Sequence, residues 1–313
     1  MLAMPAAPAQ AQVEDGRMSP AAASFLRSAL DTLQAVTLDA GSLPWSTIRD
    51  SAFMLAAGAR TTRDTYGAIA WALRHANKHS FLQANRPGVV GELVDGRYGY
   101  VHVPSRSGDG IGLADSLQSA VAGLASGGAC GWIVDLRGNG GGNMWPMLAG
   151  IGPLLGDSLV GSFGVGRAAD RWFYNRGLSG ILHANGVLDT VTRITVTAVE
   201  LPRRDAPVAV LIDGGTGSAG EDIAIALRGR LNVRTFGSPS AGYTTINRGL
   251  RLPDGANMVV TTGYNADRRG VLYTEQIQPD SMIPGAPPGW PFATDGVGRA
   301  AIHWLATQAA CRR

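Results

Sequence analysis

The chain has 313 residues, 45% of them hydrophobic and 16% charged, which is typical of an ordered globular protein with one large domain or two moderate ones. The formal net charge is only +3, and the arginines are scattered rather than interleaved with aromatic residues, which argues against nucleic acid as a partner. Beyond the first residues no stretch reaches the ~18 apolar residues of a membrane span, so we expect no stable transmembrane segment.

Residues 1–19 predict either a disordered Ala/Pro-rich tail or the remnant of a secretory signal. They lack a basic leader, but the small-x-small pattern Ala9-Gln10-Ala11 resembles the end of a signal peptide. On that interpretation the charged and apolar parts lie upstream, and the protein is periplasmic or extracellular. The only cysteines are Cys130 and Cys311. They could pair in an exported chain, but their spacing supports neither a metal site nor a redox motif, and we expect them to be unpaired.

Residues 20–86 predict an N-terminal helical module. Apolar residues recur at three and four spacings, with Ser, Thr and Asp near each start, which indicates helices over residues 24–36, 44–58 and 61–76. A hinge containing Gly and Pro follows at residues 86–88.

Residues 87–313 predict an α/β core with parallel strands, because short apolar strands alternate with helices. Residues 159–199 and 244–262 predict antiparallel β-ribbons added to that core. A final helix over residues 297–309 closes the domain. The alternating elements are a strand at 99–103, a helix at 112–125, a strand at 131–136, a helix at 144–155, a strand at 206–212, a helix at 218–228 and a strand at 233–237.

Two glycine-rich turns each follow a buried strand and open a helix. Residues 135–143 read DLRGNGGGN, and residues 213–218 read DGGTGS. Backbone N–H groups in such turns can hold a developing anion, and the second turn also presents the hydroxyl of Ser218. Ser218 and Glu221 could instead form only a capping box, but the two turns together favour a nucleophile and its oxyanion hole.

The base for such a nucleophile has few candidates. Lys78 is the only lysine, and there are five histidines. His79, at the end of the helical module, and His102, on a strand, are the two competing bases. His102 is expected to face solvent, and His79 could simply interact with a helix C-terminus. His75 is expected to cap its helix, and the two remaining histidines, His183 and His303, lie in peripheral segments.

The two turns, in this order, resemble peptidase family S41, which includes C-terminal processing proteases, tricorn core proteases and retinoid-binding relatives. Residues 135–142 match the family pattern DLRxNxGG, residues 216–221 match TASxxE with a glycine for the alanine, and Pro279-Asp280 matches a later PD motif. The resemblance implies a crotonase-like α/β core with an added β-ribbon and an N-terminal helical cap module. It also implies a peptidase without metal or cofactor, acting on peptides.

Within that family the processing proteases carry a catalytic lysine where this chain has Tyr243. The resemblance therefore points to the tricorn and nisin-resistance branch, in which a His-Ser pair supplies the base, here His79 and Ser80. It implies Ser218 as nucleophile and His79 as general base, with Glu275 as a weakly matched acceptor for the imidazole. By motif position, the oxyanion donors are the N–H groups of Gly141 and Ala219.

Four residues in segments similar to the nisin-resistance group are candidate substrate-binding residues. Only residues 80–98 separate His79 from the next strand, whereas a PDZ domain needs ~80–100 residues, so no PDZ module fits. The resemblance implies that substrate is held between the helical module and the core. The candidates are Asn143, Met144, Tyr243 and Thr244.

Two other functions compete with peptide cleavage. A non-catalytic binder of apolar ligands or peptides could use the same fold, but the intact Ser218 and His79 argue against it. Residues 138–142 could also form a phosphate-binding loop, yet the GxGxxG spacing fails at Asn143 and no Lys-Ser/Thr pair follows.

Overall fold

A computed structural model describes residues 18–38, 40–77, 90–251, 255–283 and 295–312. The chain divides into two compact units, Met1–Leu82 and Gln83–Arg313. The first unit is helical, as predicted, and its three helices bury a shared apolar core that includes Leu26, Ile48 and Ala72. They are α1 (Pro20–Val36), α2 (Trp45–Leu55) and α3 (Tyr66–Ala76).

Helix α3 begins later than the sequence pattern indicates. The carboxylate of Asp64 accepts the backbone N–H groups of Arg60 and Thr61, both at 2.8 Å. These bonds form a turn that competes with the helical conformation. The helix therefore begins at Tyr66 rather than at residue 61.

The second unit contains a six-stranded, mainly parallel sheet and a six-stranded antiparallel sheet. The strands, in chain order, are β1 (Val90–Val94), β2 (Tyr98–His102), β3 (Gly131–Asp135), β4 (Ser158–Phe163), β5 (Asp170–Asn175), β6 (Leu178–Leu182), β7 (Leu188–Arg193), β8 (Val208–Ile212), β9 (Val233–Gly237), β10 (Thr245–Arg251), β11 (Asn257–Asp267) and β12 (Ser281–Met282). The first sheet has the order β1-β2-β3-β8-β9-β12, with only β1 antiparallel to its neighbour.

The second sheet has the order β10-β11-β4-β5-β6-β7 and is antiparallel throughout. The two predicted ribbons are thus one sheet, joined where Asn265 and Ala266 of β11 pair with Phe163 and Ser162 of β4. Local periodicity carries no information about this long-range pairing, so the sequence pattern could not reveal it.

Four α-helices complete the described part of this unit: α4 (Ile111–Ser126), α5 (Met144–Leu155), α6 (Ala219–Arg228) and α7 (Gly296–Thr307). Alternate residues of β3 show the two layers, because Trp132 and Val134 pack in the core with α4, α5 and α6, whereas Ile133 packs with α7. Helix α6 contacts β8 and β9 of the first sheet and β4 and β11 of the second. Its residues 219–227 are therefore all buried.

Cys130 and Cys311 form a disulfide with a Cα–Cα distance of 5.2 Å, so the expectation of unpaired cysteines was wrong. The two residues lie 181 positions apart, and they meet because α7 brings the C-terminal segment back to the start of β3. The predicted α/β fold class, with its added antiparallel strands and helical N-terminal part, is confirmed. In the described ranges, none of the helices is both long and apolar enough to cross a bilayer.

Candidate functional site

The two glycine-rich turns lie at the same edge of the first sheet. Strands β3 and β8 are adjacent and parallel, with Val134 opposite Val210 and Asp135 opposite Leu211. Because parallel strands end at the same edge, the segments that follow them meet there, as ligand-binding loops do in open α/β sheets. This topology brings together two motifs that are far apart in sequence.

Hydrogen bonds hold the two turns against each other. The carboxylate oxygen Oδ1 of Asp213 accepts the N–H groups of Gly138 (2.8 Å) and Gly215 (2.9 Å). The N–H of Gly217 donates to the carbonyl of Asn139 at 2.9 Å. A Cβ on Gly220 would lie 2.2 Å from the same carbonyl, so only glycine allows this close approach. The turns therefore form one rigid unit.

Ser218 lies in the turn between β8 and α6, and its backbone is strained. Its φ of 52° and ψ of −123° fall outside the regions that non-glycine residues ordinarily adopt. Its neighbours Gly217 and Ala219 are buried while Ser218 is exposed. A sharp strand-to-helix turn that exposes a serine side chain is the geometry of a nucleophile elbow.

Gly141 and Ala219, the two candidate oxyanion donors, lie directly beside Ser218. A Cβ built on Gly141 would be 2.8 Å from the Ser218 Cβ and 3.0 Å from the Ala219 nitrogen. Ala219 opens α6, where first-turn N–H groups lack intrahelical acceptors. The N–H of Gly141, in contrast, donates to Oδ1 of Asn139 at 3.0 Å.

Glu221 connects Ser218 to the loop that follows β9. Its fully buried carboxylate accepts the backbone N–H groups of Ser218 (2.9 Å) and Tyr243 (2.7 Å) on Oε2, and that of Gly242 (2.8 Å) on Oε1. The hydroxyl of Ser240 also donates to Oε1. Burial raises the pKa of Glu221, while these hydrogen bonds oppose that rise.

Asp222 is a second buried carboxyl next to Glu221. Its Oδ1 accepts a hydrogen bond of 2.6 Å from the amide of Asn265 on β11. Burial raises its pKa to about 8, and the neighbouring charge of Glu221 adds to the rise. At neutral pH this carboxyl is therefore mostly protonated.

A buried ion cluster supports the first turn from the α7 side of the sheet. The guanidinium of Arg137 binds Asp135 through Nε (2.9 Å) and Nη2 (2.7 Å), and its Nη1 binds Asp295, the N-cap of α7. The hydroxyl of Tyr100 donates to Asp135 at 2.9 Å. These contacts hold Asp135 and Arg137 in place, and the two residues in turn stabilise the conformation of the first glycine-rich turn.

Of the four candidate substrate-binding residues, Tyr243 is the one whose side chain lies exposed beside Ser218. It is 49% exposed, and its ring comes within 3.2 Å of a Cβ built on Gly217. The Asn143 side chain caps α5 through the Trp145 N–H and donates to Gly108. The other two are buried: Met144 in the core, and Thr244 with its hydroxyl donating to the Tyr273 carbonyl.

His79, the candidate base, lies outside the described residues, as do Lys78 and Ser80. Glu275 is exposed. The expectation that His102 faces solvent was wrong, since it is 5% exposed. It lies on the same face of β2 as Tyr100, two residues away, whereas α6 packs on the opposite face with Val101.

Sequence reasoning missed the central roles of Glu221, Ser240 and Asp213. The capping-box spacing from Ser218 to Glu221 signalled only a helix start, and the link to Ser240 depends on β8 and β9 being neighbours. Asp213, which begins the DGGTGS turn, is the sequence feature that could have indicated its role in joining the two turns. Across the described ranges, no His, Cys, Asp and Glu side chains cluster closely enough to hold a metal ion.

Comparisons with known proteins agree with the motifs. Peptidase family S41 matches residues 97–283. The chain is similar to the nisin-resistance protein of Lactococcus lactis subsp. lactis, with 27% identity over 92% of this chain and 88% of that one. A carboxyl-terminal-processing protease of Picosynechococcus sp. is 29% identical over 52% of this chain and 34% of its own length. A solved lipoprotein from Streptococcus agalactiae has a similar fold, with a TM-score of 0.52 and 22% identity over 92% of this chain and 96% of that one.

Proposed function

Because the chain belongs to peptidase family S41 and is a peptide hydrolase, we propose that it cleaves extended peptides or protein C-termini through an acyl-enzyme on Ser218. The observation that carries this proposal is that Ser218, at the turn between β8 and α6, has a strained backbone and is exposed. Strain of this kind persists where the surrounding structure imposes it, and it concentrates at active sites. A serine that only capped the helix would need no such conformation.

In the proposed reaction, the Ser218 hydroxyl attacks the carbonyl carbon of the scissile peptide bond while His79 takes its proton. The N–H of Ala219 and the glycine turn at Gly141 stabilise the oxyanion of the tetrahedral intermediate. Collapse of that intermediate breaks the C–N bond, and the protonated imidazole gives its proton to the leaving amine. Water then hydrolyses the ester by the same steps and restores the serine.

The Gly141 N–H reaches the oxyanion in this proposal by sharing its hydrogen between the Asn139 amide oxygen and the substrate, because it already donates to that oxygen. The Ala219 N–H donates to no acceptor within the described part of the chain and is therefore the stronger donor. Tyr243 forms one wall of the substrate site beside the nucleophile. We retain Glu275 as the proposed acceptor that orients the imidazole.

We also propose that the protein works outside the cytoplasm, in the periplasm or the extracellular space. The disulfide between Cys130 and Cys311 supports this location, since such bonds persist in oxidising compartments.

Labelling with a fluorophosphonate tests the proposal directly. The full chain should be labelled on Ser218, and Ser218→Ala should lose both the label and the cleavage of a peptide library followed by mass spectrometry. Ser116→Ala is the matched control, because Ser116 is an exposed α4 serine whose hydroxyl donates to the Gly112 carbonyl of its own helix. Equal cleavage by wild type and Ser218→Ala would refute the assignment. Peptide binding without any cleavage would favour the non-catalytic binder.

A further inference from the structure

A cleft rich in arginine lies at the C-terminal end of α6, whose other end begins with Ser218. The cleft has a volume of about 400 Å³, within the size range of small-molecule sites. Asp280 is the single acidic residue in its lining, so the lining carries a surplus of positive charge. The charged and aromatic residues that line it are Arg228, Arg230, Arg234, Arg269, Asp280 and Trp304.

Two of these arginines are held by acidic partners. Arg228 donates to Asp280 at 2.9 Å and to the carbonyl of Gln278 at 2.9 Å. Arg269 pairs with Asp267 at 3.1 Å. Their charges also lie near the carbonyl end of α6, where cations are favourable. The fold therefore accounts for the charges of Arg228 and Arg269 without a ligand.

Arg230 and Arg234 form no ion pair within the described ranges, although the charge of Asp205 lies near Arg230. Arg234 is exposed at the start of β9, and within the described ranges its guanidinium makes no hydrogen bond or ion pair, only a contact over the Phe236 ring at 5.9 Å. Arg230 uses Nη2 to bind the carbonyls of Arg204 and Ala206, while its Nη1 is buried with no acceptor in the described part of the chain. Because Nη1 has almost no exposed surface, Arg230 contributes positive charge to the cleft rather than a free donor.

Electrostatic repulsion adds to this cost. The charge of Arg230 and the burial of Arg268 together lower the pKa of Arg268 to about 10, with burial as the larger cause. Both groups stay protonated at neutral pH, so the cationic charges remain close together. An anion in the cleft would reduce this repulsion and accept hydrogen bonds from the exposed guanidinium of Arg234.

We propose that this cleft is a binding site for a phosphate group, bound by the exposed guanidinium of Arg234 and attracted by the charge of Arg230. Guanidinium groups match the oxygens of phosphate in charge and in bidentate geometry, which a single chloride cannot use. The same chemistry is offered by free inorganic phosphate and by the headgroup of an anionic phospholipid. The site is separate from the proposed catalytic serine at the opposite end of α6.

Titration calorimetry of the full chain with inorganic phosphate, at constant ionic strength set by sodium chloride, tests the site. Wild type should bind saturably, and Arg234→Gln should weaken binding at least tenfold. Arg167→Gln, which changes an exposed arginine outside the cleft, should bind like wild type. Arg230→Gln should also weaken binding, but Arg234→Gln is the decisive variant because its exposed side chain can change without disturbing the fold.

Flotation with vesicles separates the two sources of phosphate. Vesicles of phosphatidylcholine with phosphatidylglycerol are compared with vesicles of phosphatidylcholine alone. Binding to the anionic vesicles that is lost in Arg234→Gln assigns the site to a lipid headgroup, and binding to inorganic phosphate alone assigns it to a soluble ligand. Failure to bind either probe, or equal binding by wild type and Arg234→Gln, overturns the proposal.

Discussion

Gly141 and Ser218, from two turns that are distant in sequence, are in direct contact. A Cβ on Gly141 would lie 2.8 Å from the Cβ of Ser218 and 3.0 Å from the Gly217 carbonyl, distances that real Cβ atoms do not tolerate without a shift. The φ of Gly141 is also +107°, a conformation that side chains strongly disfavour. Glycine at this position is what allows the two turns to pack together beside the serine.

Gly141→Ala should therefore push the two turns apart. We expect a loss of stability of about 1–3 kcal/mol from backbone strain, together with a fall in turnover of at least tenfold, because the oxyanion donors lose their alignment. Thermal unfolding and peptide-cleavage kinetics measure the two effects. The control is Gly123→Ala, an exposed α4 glycine with no atom within 4 Å of its added Cβ, which should be neutral or slightly stabilising. Wild-type kinetics in Gly141→Ala would contradict this role.

Glu221→Gln should loosen the loop at residues 240–243. The glutamine offers one accepting oxygen where the carboxylate accepts four hydrogen bonds, and its NH₂ group would face N–H donors. Each donor left unsatisfied costs about 1–3 kcal/mol. We expect reduced stability and a lower turnover, since Ser218 and Tyr243 both lose their shared anchor.

Unfolding by denaturant and cleavage kinetics should be compared with those of Glu200→Gln. Glu200 is 60% exposed and pairs only at the surface with Arg176, so its replacement should change neither quantity appreciably. If Glu221→Gln matched Glu200→Gln in both assays, Glu221 would be no more than a helix cap.

The sequence predicted those parts of the site that depend on local chemistry. Glycines before Ser218, after an apolar strand and ahead of a helix, indicate a tight strand-to-helix turn whatever the rest of the fold. The hydrogen bonds that Glu221 accepts from Gly242 and Tyr243 could not be predicted from the sequence, because they depend on β9 lying next to β8. The pairing of β11 with β4 was not predicted for the same reason, because contacts between distant segments leave no local sequence pattern.

The choice of base is tested by two substitutions. His79→Ala should lower turnover nearly as far as Ser218→Ala, because members of a catalytic unit act non-additively. His102→Ala should act mainly on stability, since the buried ring packs on the face of β2 opposite α6. With an imidazole base, turnover should fall on acidification near pH ~6.5, the region typical of histidine. Cleavage assays of the two variants distinguish the bases, and an inactive His102→Ala beside an active His79→Ala would reverse the assignment.

The disulfide between Cys130 and Cys311 should stabilise the second unit. It closes a loop over a sequence separation of 181 residues, so the double variant Cys130→Ala/Cys311→Ala should lose about 2–5 kcal/mol of unfolding free energy. Denaturant titration of both proteins with and without reductant measures the effect. Reductant should destabilise wild type but leave the double variant unchanged, and equal sensitivity of the two would show that the bond makes no contribution.

Asp222 should make the protein less stable as pH rises. Its folded pKa of about 8 lies above the ordinary aspartate pKa of 3.8, so between these values the unfolded chain has lost a proton that the folded protein still holds. The unfolding free energy therefore falls with rising pH in this window, by at most about 1.4 kcal/mol per unit, and the contribution levels off above pH 8. At acidic pH, where both states are protonated, the penalty disappears.

Asp222→Asn tests this because the amide keeps the shape of the protonated carboxyl and cannot ionise. Its unfolding free energy should fall less steeply than that of wild type between pH 5 and pH 8, so the variant should gain relative stability across that range. Asp189→Asn, at an exposed position on the edge strand β7, is the matched control and should follow wild type. Parallel pH profiles for wild type and Asp222→Asn would mean that the carboxyl is ionised in the folded protein. In that case the carboxylate, and not a neutral acid, would be what accepts the hydrogen bond from Asn265.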